Sequence, residues 1–285
     1  MATTSPLVAQ LEFSVRIRER RRELELDART VSSRMGFSRN YYSAVENNRA
    51  KLADDRLPEL ATILELDEAT TAELASLLSA SRKSGWWDAY SKFIDESFVE
   101  LWALEDGGSA IDVYESSVVT GLLQTRQYAE AMIKVDPRTS AKDTRRFVEA
   151  RMKRQERLAG GNPPELRVLL SESVVMQEVG GPIVLRGQLQ YLLDKADRMR
   201  GALRLRITPF TATETMAASS LFFIGFDSPH LERVVWREAG SALGFSSDPD
   251  LLEDLSLAFD RVWDSALDEV ETLNLIAGRA KSLSA

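Results

Sequence analysis

Hydrophobic positions in the first 80 residues recur at helical spacing and fall into short runs. Phe13, Ile17 and Leu24 form one stripe of a predicted helix from Phe13 to Leu24, and Arg16, Arg18, Arg20, Arg21 and Arg22 fill the rest of its surface. Ser14 is placed as its N-cap. Asp27 caps a second helix, Ala28 to Met35, whose Val31 and Met35 are four residues apart and face inward. Gly36 stops it, because glycine adopts a left-handed backbone at little cost, and Phe37 is expected to bury itself at the turn. Ser38 caps a third helix running to about Asn47, with Tyr42 and Val45 inward. Leu57, Leu60, Ile63, Leu64 and Leu66 mark a fourth helix with Pro58 in its first turn; Leu74, Leu77 and Leu78 mark a fifth. A helix, a turn opening on glycine and a second capped helix make a helix-turn-helix unit within a compact all-α bundle.

The pattern changes beyond residue 82. Arg82-Lys83-Ser84-Gly85-Trp86-Trp87-Asp88 reads as a polar junction ending in an aromatic pair, which divides the chain into domains at 1–82 and 83–285. Helices are predicted from Asp88 to about Leu104, through Ile111, Tyr114 and Val118, after a Thr125 cap, and over 139–158, a basic stretch broken by Gly160-Gly161-Asn162-Pro163-Pro164. Strands are predicted at Leu166 to Leu170, Leu203 to Ile207 with Arg204 and Arg206 outward, Leu221 to Phe226 and Val234 to Trp236. Further helices run from Leu185 to Met199 and Leu251 to Ala266, the second continued by the tail from Leu267 to Leu275. The chain is therefore multidomain: a repressor-like all-α helix-turn-helix bundle followed by an α+β domain, a small mixed sheet flanked by helices.

Charge separates the two parts. The net charge is -8, yet Ser14 to Lys51 holds 10 basic and 5 acidic residues. Screening limits charge to a reach of roughly 8 Å at physiological salt, so this local excess is what DNA meets. The absence of cysteine removes disulfides and thiolate chemistry, and no apolar run is long enough for a membrane span. The start Met1-Ala2-Thr3-Thr4-Ser5-Pro6 lacks the pattern of a signal peptide, so a cytoplasmic location is expected.

The third helix carries the chemistry for reading bases. Its leading residues are Ser38, Arg39, Asn40, Tyr41 and Ser43. An arginine is a bidentate donor to guanine O6 and N7, and an asparagine pairs with adenine. Arg29, Asn48, Arg49 and Lys51 are assigned to phosphates, which fix register and carry no sequence code. Glu46 is expected to bond to backbone or to an arginine. The run Leu26-Asp27-Ala28, Val31-Ser32, Gly36-Phe37-Ser38 and Ser43-Ala44-Val45-Glu46 resembles the repressor-type xenobiotic-response-element (XRE) class in spacing throughout. That class commonly has a phosphate-contacting glutamine where this chain has Ala28, and Arg29 is the neighbour available for that contact. Such domains bind double-stranded DNA as pairs, so a homodimer is expected.

Motifs farther on resemble the WhiJ-like actinobacterial regulators, also described as Scr-type antitoxin-like regulators. They are Trp86-Trp87, Leu101 to Glu105, Tyr114-Glu115, Gly121-Leu122-Leu123-Gln124-Thr125 with Tyr128-Ala129, Arg151 with Arg154-Gln155, Glu172, Val179-Gly180-Gly181, Gln188-Leu189 and Arg206-Ile207-Thr208-Pro209. The chain departs at Val119-Thr120, where that group often has Val-Pro. The resemblance implies a small protein partner on the C-terminal domain.

Rival functions find less support. The single histidine, His230, lies in Asp227-Ser228-Pro229-His230, a turn sequence, and there is no His-Glu-x-x-His pair or Gly-x-Ser-x-Gly elbow. The adjacent carboxylates Asp54-Asp55 and Glu253-Asp254 splay apart on a helix. No enzyme, metal or cofactor is expected. Phe222, Phe223, Phe226, Trp236 and Trp263 either fill the core or line a ligand pocket. Trp86, Trp87 and the basic helix at Arg145 to Arg157 are candidate protein-docking features, and Thr211 to Ser219 is a candidate lid, docking loop or hairpin connection.

Overall fold

A computed structural model describes residues 5–135, 140–239 and 242–283. The chain forms two compact units, one holding the chain through Asp88 with Asp227–Glu232, the other Ala89–Phe226 with Arg233 onward.

The first unit contains α1 (Pro6–Glu23), α2 (Ala28–Arg34), α3 (Arg39–Glu46), α4 (Leu57–Ile63) and α5 (Glu68–Ser81). Its core joins Phe13 and Ile17 of α1, Val31 and Met35, Tyr42 and Val45 of α3, Leu52, Leu57, Leu60 and Leu64, and Leu74 and Leu78 of α5. Burying such side chains stabilises the bundle by about 1.5 to 3 kcal/mol each. α1 starts earlier than its stripe predicts, with Pro6 in its first turn, so Ser14 is not a cap. Ser14 is buried inside α1, and its hydroxyl donates to the Val45 carbonyl at 2.7 Å, tying α1 to the end of α3.

The second unit is a six-stranded mixed sheet in the order β3-β2-β1-β4-β5-β6. Its strands are β1 (Ala110–Glu115), β2 (Glu165–Ser171), β3 (Leu203–Thr208), β4 (Ser220–Gly225), β5 (Val234–Ala239) and β6 (Ala242–Ser246). β1, β2 and β3 are parallel, with Val113 opposite Val168 and Val168 opposite Leu205; β4, β5 and β6 continue antiparallel. Around the sheet lie α6 (Glu96–Gly107), α7 (Arg126–Ile133), α8 (Ala141–Gln155), α9 (Glu172–Met176), α10 (Pro182–Arg198), α11 (Pro249–Ser265) and α12 (Glu269–Ser282). α7 with α8, and α9 with α10, supply the crossovers that parallel neighbours require.

Several expectations are corrected. Ile111 to Glu115 belongs to a central strand buried on both faces, where period-two alternation is confined to Ile111-Asp112-Val113 and is too short to outweigh the helical spacing of Ile111, Tyr114 and Val118. The helix predicted from Asp88 is a 3-10 turn at Trp86–Ala89, and α6 starts only after its Asp95 cap. Trp87 is buried and Trp86 half-buried, with their rings edge to face at 5.7 Å, so they are not an exposed pair. α11 does not run on into the tail: Asp268 and Glu271 form a capping box that starts α12. The predicted long basic helix is α8; residue 139 lies outside the described residues. Phe222, Phe223, Trp236 and Trp263 are core residues, each under 5% exposed, and Phe226 is half-buried. In the 211–219 segment, Met216 is buried against Tyr114, Leu221 and Phe223, which pins that connection to the sheet.

A buried polar network explains the Gly-Leu-Leu-Gln-Thr motif. Its irregular backbone is bonded by side chains from α8 and α10: Gln155 donates to the Gly121 and Gln124 carbonyls at 2.9 and 2.8 Å, and Gln188 donates to the Leu123 carbonyl at 2.6 Å. The Thr125 hydroxyl accepts from the Tyr128 amide at 3.2 Å and caps α7 as its sequence predicts. Arg154 and Glu105 form a bidentate pair with both bonds at 2.6 Å, almost wholly removed from water. Burial and the neighbouring Arg154 charge pull Arg151 down to about 10. A Cβ on Gly121 would lie 2.4 Å from Arg151 Nη1 and 2.6 Å from Arg154 Nη1, so any other residue there would displace these guanidiniums from their bonds to Gln124 and Glu105. Arg151 and Arg154 are thus turned inward, and Arg157 donates to the Asp106 and Gly108 carbonyls, which leaves little of that half of α8 as a docking surface.

Both outer strands are bonded by neighbouring segments. The Ile207 amide donates to the Thr272 hydroxyl at 3.1 Å, and the Phe245 amide bonds to the Glu100 carboxyl on α6. Burial pushes that carboxyl up to about 7, partly opposed by the Phe245 bond. A folded pKa above the unfolded value of about 4.3 means that this group costs stability as pH rises towards 7. Glu100→Gln is expected to gain stability relative to the unmodified protein between about pH 5 and about pH 8, read as the difference in urea midpoints. A pH-independent difference would contradict this reading of Glu100.

Candidate nucleic-acid interface

The helix-turn-helix is fixed by local bonds that its sequence specifies. Asp27 accepts from the Thr30 amide at 2.5 Å and starts α2; that bond holds the Asp27 carboxyl below the usual carboxylate range. Gly36 takes φ +65°, and the Phe37 amide reaches back to the Ser32 carbonyl at 2.8 Å, closing the turn. Ser38 accepts from the Tyr41 amide at 3.2 Å and starts α3.

Helical spacing then sorts the faces of α3. Tyr42, Val45 and Glu46 point inward. Glu46 receives Arg21 Nε at 2.6 Å and Nη2 at 3.1 Å, while Arg21 Nη1 donates to the Leu26 carbonyl at 2.7 Å. The arginine partner expected for Glu46 is therefore the last turn of α1, and the pair locks α1 to α3. Burial pushes the Tyr42 phenol upward, so it stays neutral.

The opposite face of α3 presents Arg39 and Asn40, both exposed, and Ser43, half-buried. Arg22, Arg29, Arg34, Arg39 and Arg49 are all exposed, and among the described residues none of their guanidiniums is held by an ion pair or hydrogen bond. Five unpaired guanidiniums in one small unit are side chains of the kind suited to phosphate and base edges.

Other candidates have internal work. Tyr41 is half-buried, its ring edge-on to Phe37 at 4.9 Å and its hydroxyl donating to the Lys51 carbonyl at 3.0 Å. Asn48 takes φ +59° as the left-handed stop after α3, with its Oδ1 buried and unbonded. Lys51 Nζ donates to the Ser81 carbonyl at 2.5 Å, which leaves two ammonium protons for a phosphate.

Three residues were missed. Asn47 is exposed four positions after Ser43 and donates to the Ser43 carbonyl at 2.7 Å; extending the Arg39–Ser43 spacing finds it. Arg34 is exposed at the end of α2, and its place beside Gly36 signals it. Arg56 has no sequence signal: it bonds across the fold to the Met35 carbonyl and lies 4.5 Å over the Phe37 ring, which is only half-buried.

A family model described as Helix-turn-helix matches residues 17–70, and one described as Domain of unknown function (DUF5753) matches residues 98–278. No curated protein and no solved structure matches the chain. The first unit carries an XRE-type helix-turn-helix, and the chain is a DNA-binding transcription regulator. Among the described residues, no helix is long and apolar enough to cross a membrane, and no group of three or more His, Asp or Glu is arranged to hold a metal ion.

Proposed function

This chain belongs to the DUF5753 family, with a helix-turn-helix ahead of the family domain, and from that premise we propose a homodimeric, sequence-specific reader of double-stranded DNA whose second domain receives the regulatory signal. In this reading α3 enters the major groove. Arg39 reads a guanine, Asn40 an adenine, and Ser43 with Asn47 the next positions along the groove. Arg29, Arg49 and Lys51 hold phosphates, joined by Arg34. Ser38 and Tyr41 act chiefly by setting the start of α3. Two such helices about one DNA turn apart, roughly 34 Å, would read a near-palindrome.

One observation carries the proposal: the unpaired arginines lie on the unit whose recognition helix is locked from behind by Arg21 and Glu46. A protein that spent these cations on its own stability would pair them. In the second domain the aromatic side chains proposed as the lining of a ligand pocket, Phe222, Phe223, Trp236 and Trp263, fill the core instead, which takes away that support for a small-molecule signal. The motifs that resemble those of WhiJ-like regulators imply a small protein partner and a cytoplasmic regulator in an actinobacterium.

Arg39→Ala tests the assignment of bases. It is expected to weaken binding to the preferred site by about 1 to 3 kcal/mol and to relax preference at one base pair. Affinities for a panel of single-base variants of that site measure both. Equal losses on preferred and random duplexes would remove Arg39 from the reading set.

A further inference from the structure

The end of α5 is stitched to the segment that follows the recognition helix. Lys51 Nζ bonds to the Ser81 carbonyl at 2.5 Å, Arg82 Nη2 to the Leu52 carbonyl at 2.5 Å, and Arg82 Nε to Asp54 at 2.9 Å. The next residues are fixed too. Gly85 lies flat on Trp87, where a Cβ would fall 2.1 Å from the indole, and its amide donates to Asp88 at 3.0 Å. Between these segments is an open hollow of about 350 Å³, lined by Gln10, Lys51, Arg82, Lys83, Ser84 and Asp88 among others. Lys83 is exposed, and among the described residues its ammonium has no partner.

The position of this hollow relative to α3 is set by one bond. Tyr41 lies in the first turn of α3, next to Asn40, and its hydroxyl bonds to the Lys51 carbonyl. The hollow is therefore beside the reading end of the helix, one tyrosine side chain away. Duplex DNA carries a phosphate charge for about every 1.7 Å of its axis, so a groove that admits α3 brings its backbone past this hollow. Three cations and the Gln10 and Ser84 polar groups against one lining carboxylate, Asp88, with Arg82 also paired to Asp54 outside the hollow, suit a singly charged oxyanion with several acceptor oxygens.

The geometry points to a second phosphate-binding element outside the helix-turn-helix proper, in which Lys83, with Lys51, clamps a DNA backbone phosphate flanking the groove that α3 reads. This inference rests on the DNA-reading proposal for α3 and adds a residue beyond the 17–70 match. Lys83 sets affinity and register and carries no base code.

The test measures binding of the full-length protein and its Lys83→Ala variant to the preferred duplex and to a random duplex, across a salt series. Lys83 is exposed, so the variant is expected to melt with the unmodified protein. The expected result is a slope of log affinity against log salt shallower by about 1 on both duplexes, with the ratio of preferred to random binding unchanged. An unchanged slope overturns the clamp. If inorganic phosphate protects the unmodified protein but not the variant from thermal unfolding while the DNA slope stays the same, the hollow takes free phosphate and the DNA inference fails. Salt-independent or absent DNA binding by the unmodified protein would instead overturn the reading of α3, and the clamp with it.

Discussion

Replacing Arg154 by alanine is expected to destabilise the second unit by about 3 to 5 kcal/mol, the usual consequence of leaving one member of a buried ion pair uncompensated. Its partner Glu105 is 2% exposed and would keep no cation within a bidentate bond. Arg151 cannot substitute without abandoning Gln124, to which it donates at 3.3 Å. Removing both charges tells a different story. Arg154→Met with Glu105→Leu keeps the volume and deletes the desolvation cost, so the double variant is expected to recover most of the loss. Urea midpoints followed by tryptophan fluorescence measure both, since Trp102, Trp236 and Trp263 lie in that unit. A single variant no weaker than the double would show that the pair is not buried as described.

The second large effect concerns the first unit. Glu46→Ala removes the acceptor for Arg21 and is expected to cost about 2 to 4 kcal/mol, less than the previous case because the arginine is 13% exposed. The consequence reaches function through packing, since α3 then keeps only the Ser14–Val45 bond and the shared core to hold it against α1, and its reading face is held less firmly. Affinity for preferred and random DNA should fall together, with a lowered thermal midpoint. Arg39→Ala gives the opposite pattern, a normal melt and a lost preference. A Glu46→Ala protein that melts normally would contradict the proposed lock.

Legibility followed the range of the forces involved. The helix-turn-helix could be read because its signals are local: Asp27 and Ser38 bond three residues ahead, and Gly36 acts at its own position. Glu46 could be read as a structural residue, since an acidic group in a basic stretch needs a cation. Arg56 could not, because its contact with Met35 spans 21 residues and only the folded chain brings them together. Nor could the internal roles of Asn48 and Lys51, which depend on a left-handed stop and on the distant end of α5.

In the second domain the reading failed where burial erased periodicity. β1 is buried on both faces and sits between β2 and β4, so its alternation is confined to Ile111-Asp112-Val113, and Ile111, Tyr114 and Val118 also fit helical spacing. β6 was missed outright: Ala-Leu-Gly-Phe-Ser is short, and its glycine weakens a strand reading. The amphipathic helices α10 and α11 kept their pattern because each presents one face to the sheet. The motif residues Gln124, Arg151, Arg154, Gln155 and Gln188 were visible as a pattern without a reason, and the structure supplies it: the three glutamines bond backbone carbonyls of a buried irregular segment, Arg151 donates to the Gln124 side chain, and Arg154 pairs with Glu105.

The central claim, that α3 reads a DNA sequence, is tested most directly by competition. The full-length protein is titrated onto a duplex from its own upstream region at physiological salt, with random duplex in excess. The account predicts binding that resists the competitor and loses that resistance on Arg39→Ala. Binding displaced equally well by random duplex, with or without Arg39, would contradict it.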